Sequence, residues 1–103
     1  MQQLQQFVKA CGKKVTFHQS KVIFQAGEAP THFYLLEEGY VKVFQEAENG
    51  QVITLSFFKR GDFFGLAELF ANYSVHECSA TTLQGATFYA ISMAELQQRL
   101  LQD

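Results

Sequence analysis

The chain is most constrained by a series of short apolar runs, rich in β-branched and aromatic residues, that glycine-containing turns separate. The clearest turn is Asn49-Gly50, which favours a tight hairpin because both residues can adopt positive φ. The runs predicted to be strands are 22–24, 33–36, 41–44, 52–55, 78–83 and 87–91. The glycines interpreted as turn residues are Gly27, Gly39, Gly61 and Gly85. Short strands at this spacing predict a mainly β sandwich or barrel.

Three segments have a helical pattern instead. Residues 2–11 place apolar side chains at i, i+3, i+4 and i+7, and Gly12 follows where a left-handed C-cap is expected. Residues 66–71 consist of good helix formers, which predicts a short helix inserted between strands. Ser92 and Glu95 have the spacing of a capping box, which predicts a terminal helix.

Length and composition indicate one globular domain spanning residues 1–103. Of its 103 residues, 48% are hydrophobic and only 17% are charged, which favours a filled interior over disorder. No apolar stretch approaches the roughly 18 residues that a membrane span needs, and the N-terminus does not resemble a signal peptide. Cys11 and Cys78 lack the spacing of a metal site or a disulfide scaffold. We therefore expect a cytoplasmic protein with no membrane association and no bound cofactor or metal.

The charge pattern argues against a nucleic-acid surface. The formal net charge is −2, and the basic pairs Lys13-Lys14 and Lys59-Arg60 are isolated from each other. Nucleic-acid binding depends on clustered Lys and Arg side chains that displace counterions from phosphates. We expect no direct DNA binding by this chain.

Three blocks of sequence resemble the cyclic-nucleotide-binding domain family, and within it the sensory domains of Crp/Fnr-type transcription regulators. These blocks are residues 22–28 (VIFQAGE), 33–43 (FYLLEEGYVKV) and 61–65 (GDFFG). The resemblance implies an antiparallel β-roll, a jelly-roll or double-stranded β-helix, with short flanking α-helices and a ligand pocket inside the roll. It also implies a regulatory domain that senses a small-molecule effector.

Regulators of this type carry a long dimerisation helix and a helix-turn-helix after the sensory domain. We expect both to be absent from this chain, so that a firm homodimer needs a following helix that is not present. The terminal helix is apolar over more than one stripe, which predicts weak self-association. The residues of that apolar surface are Met93, Leu96, Leu100 and Leu101.

In the family, a short helix and the loop after it form a phosphate-binding cassette. The cassette residues implied here are Gly65, Leu66, Ala67, Glu68, Leu69, His76, Glu77 and Cys78. Unpaired amides at a helix start, together with a glycine that lets the backbone approach closely, suit an anion. The family adds a Glu after the glycine, an Arg at the start of the next strand, and then a Ser or Thr.

The sequence departs from that pattern at each of these positions. Leu66 occupies the Glu position, and an ungapped count places His76 at the Arg position and Glu77 at the Ser or Thr position. No Arg occurs between Arg60 and Arg99. A histidine is a poor replacement for a bidentate guanidinium, and Glu77 has the wrong charge for a phosphate. We predict that the chain does not bind cAMP or cGMP in the usual way.

Three functions remain open from sequence. The first is a non-enzymatic sensor module of a transcription regulator, either with a non-nucleotide effector or constitutively active. The second is a genuine cyclic-nucleotide receptor with an atypical cassette. The third is a metal-dependent cupin enzyme, which needs an H-x-H motif, whereas His18, His32 and His76 are isolated. His76 is open to interpretation as a ligand contact, a pH-sensitive group, a haem ligand or an ordinary loop residue. Glu68 could repel a ligand or complement the helix dipole.

Overall fold

The computed structural model describes residues 2–65, 71 and 74–101. Its elements are α1 (Gln2–Cys11), β1 (Lys13–Phe17), β2 (Val22–Phe24), β3 (His32–Glu46), β4 (Val52–Phe58), β5 (Phe63–Phe64), β6 (Ser79–Ser92) and α2 (Met93–Leu101). The predicted mainly β fold with short flanking helices is confirmed. The predicted helix over 66–71 lies outside the described residues except for Ala71. No helix within the described ranges is long and apolar enough to cross a membrane.

All strands belong to one antiparallel sheet, with β6 and β3 at its centre. The strand order is β1-β6-β3-β4, while β2 also pairs with β6 and β5 also pairs with β3. The two central strands pair along almost their whole length, from His32 opposite Ser92 to Phe44 opposite Ser79. They therefore form the frame on which the shorter strands and the turns are placed.

The central strands are longer than the sequence predicts. The predicted strands 33–36 and 41–44 are both parts of β3. The predicted strands 78–83, apart from Cys78, and 87–91 are both parts of β6. The interpretation of Gly39 and Gly85 as turn residues is wrong, because both lie within these strands, where the register shifts. A Cβ on Gly39 would lie 2.5 Å from the Gly85 carbonyl oxygen. The glycines let the two strands bend together at a bulge without ending.

Two smaller details also differ from the expected geometry. The hairpin at Asn49-Gly50 is confirmed, but Gly50 alone has positive φ, at 86°. The Gly50 N–H donates to the Ala47 carbonyl, and the Ala47 N–H donates to the Gln51 carbonyl, which gives a three-residue loop in place of a two-residue one. Gly12 does not adopt the left-handed conformation. A side chain at this position is disfavoured by a close contact, because a Cβ built on Gly12 would lie 2.6 Å from the backbone oxygen of Val8.

Alternate residues of β3 supply two separate hydrophobic clusters. Tyr34 and Leu36 belong to the roll interior, whose other buried members are Phe24, Val41, Phe64, Ala80, Ala86 and Phe88. Phe33 and Leu35 point to the opposite face, where the buried members are Val8, Ile91 and Leu96. The helices α1 and α2 cover this second face. Because successive side chains of a strand point to opposite faces, β3 contributes residues to both hydrophobic clusters.

The terminal helix uses part of its apolar stripe inside the domain. Its start is capped as predicted, since the Glu95 N–H donates to Ser92 Oγ over 3.0 Å. Leu96 is buried and Met93 packs against the same cluster. The side chains of Leu100 and Leu101, which complete the predicted surface for self-association, lie outside the described residues. Self-association through this helix remains a prediction.

Candidate functional site

The cassette residues that the structure describes lie where β5 ends and where the chain approaches β6. Gly65 follows β5 directly, and His76, Glu77 and Cys78 precede β6. Leu66, Ala67, Glu68 and Leu69 lie outside the described residues. The structure therefore describes the entrance and the exit of the cassette.

Gly65 is required at the entrance for a local reason. Its φ is +77°, and a Cβ there would lie 3.2 Å from two ring atoms of Tyr34 and 3.3 Å from the His32 carbonyl oxygen. Both the backbone conformation and the close approach exclude a larger residue without strain. The sequence suggested that this glycine admits a ligand, but the group that it approaches in the structure is the Tyr34 ring.

His76 is held at the exit by its backbone and by its ring. The residue is only 3% exposed. Its N–H donates to the Glu28 carbonyl over 2.8 Å, and its carbonyl accepts from the Gly27 N–H over 2.9 Å. Its imidazole stacks on Phe24 with ring centroids 3.8 Å apart and planes 13° apart. These contacts fix the cassette exit against the turn that follows β2.

A continuous series of rings, named here the aromatic stack, joins the two ends of the cassette. It consists of His76, Phe24, Tyr34 and Phe64. The Phe24–Tyr34 centroids are 6.0 Å apart and the Tyr34–Phe64 centroids are 4.8 Å apart. Such ring pairs each contribute about 0.5–1.5 kcal/mol beyond area burial. Because Phe64 immediately precedes Gly65, the stack couples the entrance of the cassette to its exit through the roll interior.

The residues after His76 become progressively less exposed. Glu77 is exposed, and Cys78 and Ser79 are half-buried. The Ser79 hydroxyl accepts a hydrogen bond from the Ala26 N–H over 2.9 Å. The start of β6 is thus tied to the same turn that holds His76. The exposed Glu77 is the one described cassette side chain that carries a full charge into solvent.

The charges around the described site are acidic. Glu28 lies on the turn beside His76, where its Oε1 accepts from the Gln25 N–H over 2.7 Å. Burial raises the pKa of Tyr34 above its usual value, and the Glu28 carboxylate raises it further. The sequence contains neither Lys nor Arg between Arg60 and Arg99. A cation to face an anionic ligand must therefore come from another part of the chain.

A surface groove of about 410 Å³ lies beside the turn. It is lined by Val22, Gln25, Ala26, Phe44, Glu46 and Ser79. The lining combines apolar side chains with neutral polar groups and one carboxylate. It offers hydrogen-bond donors but no cationic side chain to a ligand.

The histidines do not assemble into a metal centre within the part of the chain that the structure describes. His32 donates to or accepts from the Thr31 hydroxyl, 2.8 Å from its Nδ1, and stacks loosely on Tyr34. No group of three or more His, Cys, Asp or Glu side chains converges among the described residues. The ligand arrangement that a cupin enzyme needs is not found in those ranges.

Sequence reasoning missed Phe24 and Tyr34 as partners of the cassette. Both belong to the first two blocks of family resemblance, residues 22–28 and 33–43, in which the sequence predicts only strands and turns. The available signal was the position of Phe24 at the end of an apolar run just before Gly27, and the alternation along residues 33–36. Neither signal indicates which residues from distant parts of the chain share a stack, because that depends on where β2 and β3 lie after each has paired with β6.

Comparison with protein families matches residues 14–103 to the family described as the cyclic nucleotide-binding domain. An uncharacterized protein of Haemophilus influenzae is 32% identical over 76 residues, which cover 74% of this chain and 58% of that protein. The chain thus spans little more than half the length of this relative.

Solved structures share the fold at lower identity. The Xanthomonas campestris global regulator CLP, described as c-di-GMP responsive, has a TM-score of 0.82 at 23% identity, covering 92% of this chain and 45% of that one. The Thermus thermophilus catabolite activator protein has a TM-score of 0.81 at 22% identity, covering 97% and 48%. The EAL enzyme Bd1971 in a cAMP-bound form has a TM-score of 0.74 at 22% identity, covering 88% and 24%. At these identities the likeness shows the fold, and the chain spans less than half of each protein.

Proposed function

Because the chain belongs to the cyclic nucleotide-binding domain family, we propose that it is the effector-sensing domain of a Crp/Fnr-type regulator whose effector is neither cAMP nor cGMP. The observation that carries this proposal is the absence of any Lys or Arg between Arg60 and Arg99, a range that contains the whole cassette. A cyclic phosphate held without a cation keeps its negative charge uncompensated.

The position of His76 supports the same proposal. A side chain that is 3% exposed and stacked on Phe24 can reach a ligand only by leaving that stack. Such a movement also breaks the link between the cassette exit and Tyr34. His76 is thus suited to hold the cassette in shape rather than to replace a ligand-binding Arg.

Glu77 makes binding of an anion still less favourable. It is exposed, carries a negative charge and follows His76 directly. Loss of a charge-assisted pair and gain of a repulsive one together cost several kcal/mol, which is on the order of a thousandfold in affinity. An uncharged or cationic effector avoids both costs.

The experiment is isothermal titration calorimetry of the 103-residue chain with cAMP and with cGMP. We expect no binding in the micromolar range. The combined variant Leu66→Glu, His76→Arg and Glu77→Ser supplies the family's groups, and we expect it to bind at least about tenfold more tightly than the wild type. Micromolar binding by the wild type would exclude the proposal.

A charge-matched control separates position from net charge. The variant Leu66→Glu, Val75→Arg and Glu77→Ser carries the same charges, with the guanidinium one residue earlier at a side chain that is 43% exposed. We expect a smaller gain from it than from the His76→Arg combination. Equal gains would show that general electrostatics, rather than a reconstructed site, increases affinity. Circular dichroism establishes that each variant is folded.

The second candidate function is a cyclic-nucleotide receptor with an atypical cassette. Family membership favours it, together with the likeness to a protein that was solved with cAMP bound. In that case a cation from outside the cassette, such as Lys59 or Arg60, would compensate the phosphate. The same calorimetry decides between the two functions, since only the receptor binds cAMP or cGMP without substitution.

We propose neither catalysis nor sequence-specific DNA recognition for residues 1–103. A regulator of this type reads DNA through a basic recognition helix in a helix-turn-helix. The two described helices each contain one basic residue, Lys9 in α1 and Arg99 in α2. We expect no sequence-specific, salt-sensitive shift of DNA fragments by this chain alone. A specific shift that weakens steeply with salt would contradict this part of the proposal.

A further inference from the structure

The imidazole of His76 fills a slot against the ring of Phe24. Their centroids are 3.8 Å apart and their planes are 13° apart, and no other ring pair in the described part of the chain is closer. His76 is 3% exposed and Phe24 is 8% exposed, so each ring shields the other from water. Removal of the imidazole therefore opens a ring-sized space with Phe24 as one wall. Apolar spaces of this kind bind small rings.

The wall of the slot is held from behind, independently of His76. Phe24 pairs with Ala80 in the sheet, and Ala80 is wholly buried. The other side of the wall is supported by Tyr34, which stacks in turn on Phe64 with centroids 4.8 Å apart. Because neither support involves the imidazole, the wall keeps its position when the imidazole leaves. The structure thus offers a preformed surface for stacking.

The backbone of His76 is anchored separately from its ring. Its N–H donates to the Glu28 carbonyl over 2.8 Å, and its carbonyl accepts from the Gly27 N–H over 2.9 Å. Neither bond involves the side chain. Rotation about the Cα–Cβ bond therefore moves the imidazole off Phe24 while both hydrogen bonds remain. For the same reason, a substitution of His76 leaves the cassette exit attached to the turn.

The described charged side chains beside the slot are acidic. Glu28 lies on the turn to which His76 is hydrogen-bonded, and the exposed Glu77 follows His76 directly. The sequence supplies neither Lys nor Arg between Arg60 and Arg99. A ring with a negative charge would meet these carboxylates without a cation from the cassette. The group that now fills the slot, an imidazole, is a planar nitrogen heterocycle.

We propose that this slot binds a planar nitrogen heterocycle without negative charge, and that His76 is the internal occupant that such an effector displaces. This inference rests on the proposed function, because it names the chemical class of the effector for the same site. An ungapped count places His76 where the family has the Arg for its phosphate. A neutral ring stacked on Phe24 thus takes the place of the phosphate in this chain.

The first test is rescue of His76→Gly by free imidazole, measured by thermal unfolding. The experiment is done at pH 8, well above the histidine side-chain pKa of about 6.5, so that the probe is largely uncharged. We expect the variant to unfold at a lower temperature than the wild type. Imidazole should raise that temperature in a saturable manner, with half-saturation on the order of millimolar, because so small a ring contributes little binding free energy.

Three controls separate the slot from general stabilisation. Adding Phe24→Leu to His76→Gly keeps an apolar wall but removes the ring, and should abolish the rescue. His32→Gly is the matched histidine control, because the His32 ring lies 6.3 Å from Tyr34 and stacks only loosely. Imidazole should not stabilise it. Imidazole-4-carboxylate has the same ring with a negative charge, and should not rescue His76→Gly.

The second test follows displacement of the imidazole in the wild type by NMR. The ring protons of His76 lie over Phe24, so the ring current shifts their resonances. We expect imidazole to bind the wild type at least about tenfold more weakly than it binds His76→Gly, because it must displace the internal ring. As it binds, the His76 resonances should move towards those of the exposed His18.

Several outcomes would overturn the proposal. These are a folded His76→Gly that imidazole does not stabilise, equal rescue with and without Phe24, and binding to the wild type that leaves the His76 resonances unmoved. If His76→Gly does not fold alone, recovery of folded protein with imidazole is the readout, and His76→Ala is the second variant. Absence of recovery, together with a His76→Ala that imidazole does not stabilise, would also overturn it.

Failure of this inference is distinguishable from failure of the proposed function. The slot is tested with imidazole, whereas the proposed function is tested with cAMP and cGMP on the unsubstituted chain. A slot that does not bind imidazole leaves the expected absence of cyclic-nucleotide binding as it stands. Micromolar cAMP binding by the wild type would exclude the proposed function whatever imidazole does.

Discussion

The neighbouring strands β3 and β4 have similar apolar residues and opposite surroundings. In β3, Phe33, Leu35 and Leu36 are 0%, 1% and 1% exposed. In β4, Ile53, Leu55 and Phe57 are 49%, 48% and 56% exposed. The difference comes from what lies above and below each strand. β3 pairs with strands on both edges and has helices over one face and the roll interior under the other, whereas β4 pairs on one edge.

This comparison separates the extended conformation of an apolar strand from its burial. Residues such as those of β4 favour the extended conformation wherever they stand, because branched and aromatic side chains fit a pleated backbone. Burial depends on the layers that the topology places against the strand. In this domain the described cassette residues lie beside the buried start of β3, and the neighbouring strand β4 is exposed.

The largest effect that tests this comparison is expected from a pair of Phe→Ala substitutions. Phe33→Ala removes a wholly buried ring from the cluster under α1 and α2, and should lower the free energy of unfolding by about 3–5 kcal/mol. Phe57→Ala removes a ring that is 56% exposed and should change it by less than about 0.5 kcal/mol. Urea unfolding followed by circular dichroism measures both.

The measurement is made in dilute protein, so that association between chains does not contribute to the free energy of unfolding. A similar loss from the two substitutions in dilute protein would show that β4 is covered within one chain. Phe33→Leu serves where Phe33→Ala leaves too little folded protein to measure. It retains most of the apolar volume and should lose less stability than Phe33→Ala.

The second-largest effect is expected from substitution of glycine by alanine at two places, the bend of the central strands and the tip of the exposed hairpin. Gly39 and Gly50 have nearly equal φ, +87° and +86°. A Cβ on Gly39 would lie 2.5 Å from the Gly85 oxygen, but nothing lies within 4 Å of a Cβ on Gly50. Gly50→Ala should cost about 1–2 kcal/mol from backbone strain alone. Gly39→Ala should cost more, because backbone atoms must also move.

The difference between the two variants isolates the close contact from the strain. Chemical unfolding of both proteins under the same conditions gives that difference. Equal losses would show that β3 and β6 separate easily at their bend, in conflict with the tight approach of Gly39 and Gly85. A larger loss from Gly50→Ala would mean that the hairpin tip is not open space.

Signals from adjacent residues predicted the two helices and the hairpin better than the two central strands. The limits of α1, the cap of α2 at Ser92 and the hairpin at Gly50 follow from rules that involve a few adjacent residues. The continuity of β3 and β6 through Gly39 and Gly85 does not. Glycine is typical of turns and of bulges alike, and only the pairing of two distant strands decides between them.

The sequence predicts a position for the candidate site but not its contacts. The Gly-Asp-Phe-Phe-Gly block and the missing Arg predict a cassette of unusual charge, and this assignment stays a prediction. The stacking of His76 on Phe24 could not be predicted, since those residues lie far apart in the chain and meet only after the roll closes. For the same reason, sequence left the role of His76 open among several interpretations.

The smallest effect at neutral pH concerns Tyr34, at the centre of the aromatic stack. Burial, and then the Glu28 carboxylate, raise the pKa of its hydroxyl above the value in the unfolded chain, which is about 10. Below pH 10 the hydroxyl is protonated in both states, so its contribution to stability is fully present. As the pH rises through the unfolded pKa, the unfolded chain releases the proton first and becomes relatively more favourable. Stability is therefore lost progressively until the pH passes the folded pKa.

Tyr34→Phe removes this proton and should leave stability at pH 7 almost unchanged. Between about pH 9 and pH 11 its free energy of unfolding should decline less than that of the wild type. Tyr40→Phe is the matched control, because it also removes one hydroxyl, from a ring that is 58% exposed, and keeps Tyr34. We expect it to decline as the wild type does. The two variants differ only in which tyrosine hydroxyl is removed, so the difference between them reports Tyr34. Parallel curves for both variants would show that Tyr34 ionises in the folded domain as readily as an exposed tyrosine, which is incompatible with a ring buried between Phe24 and Phe64.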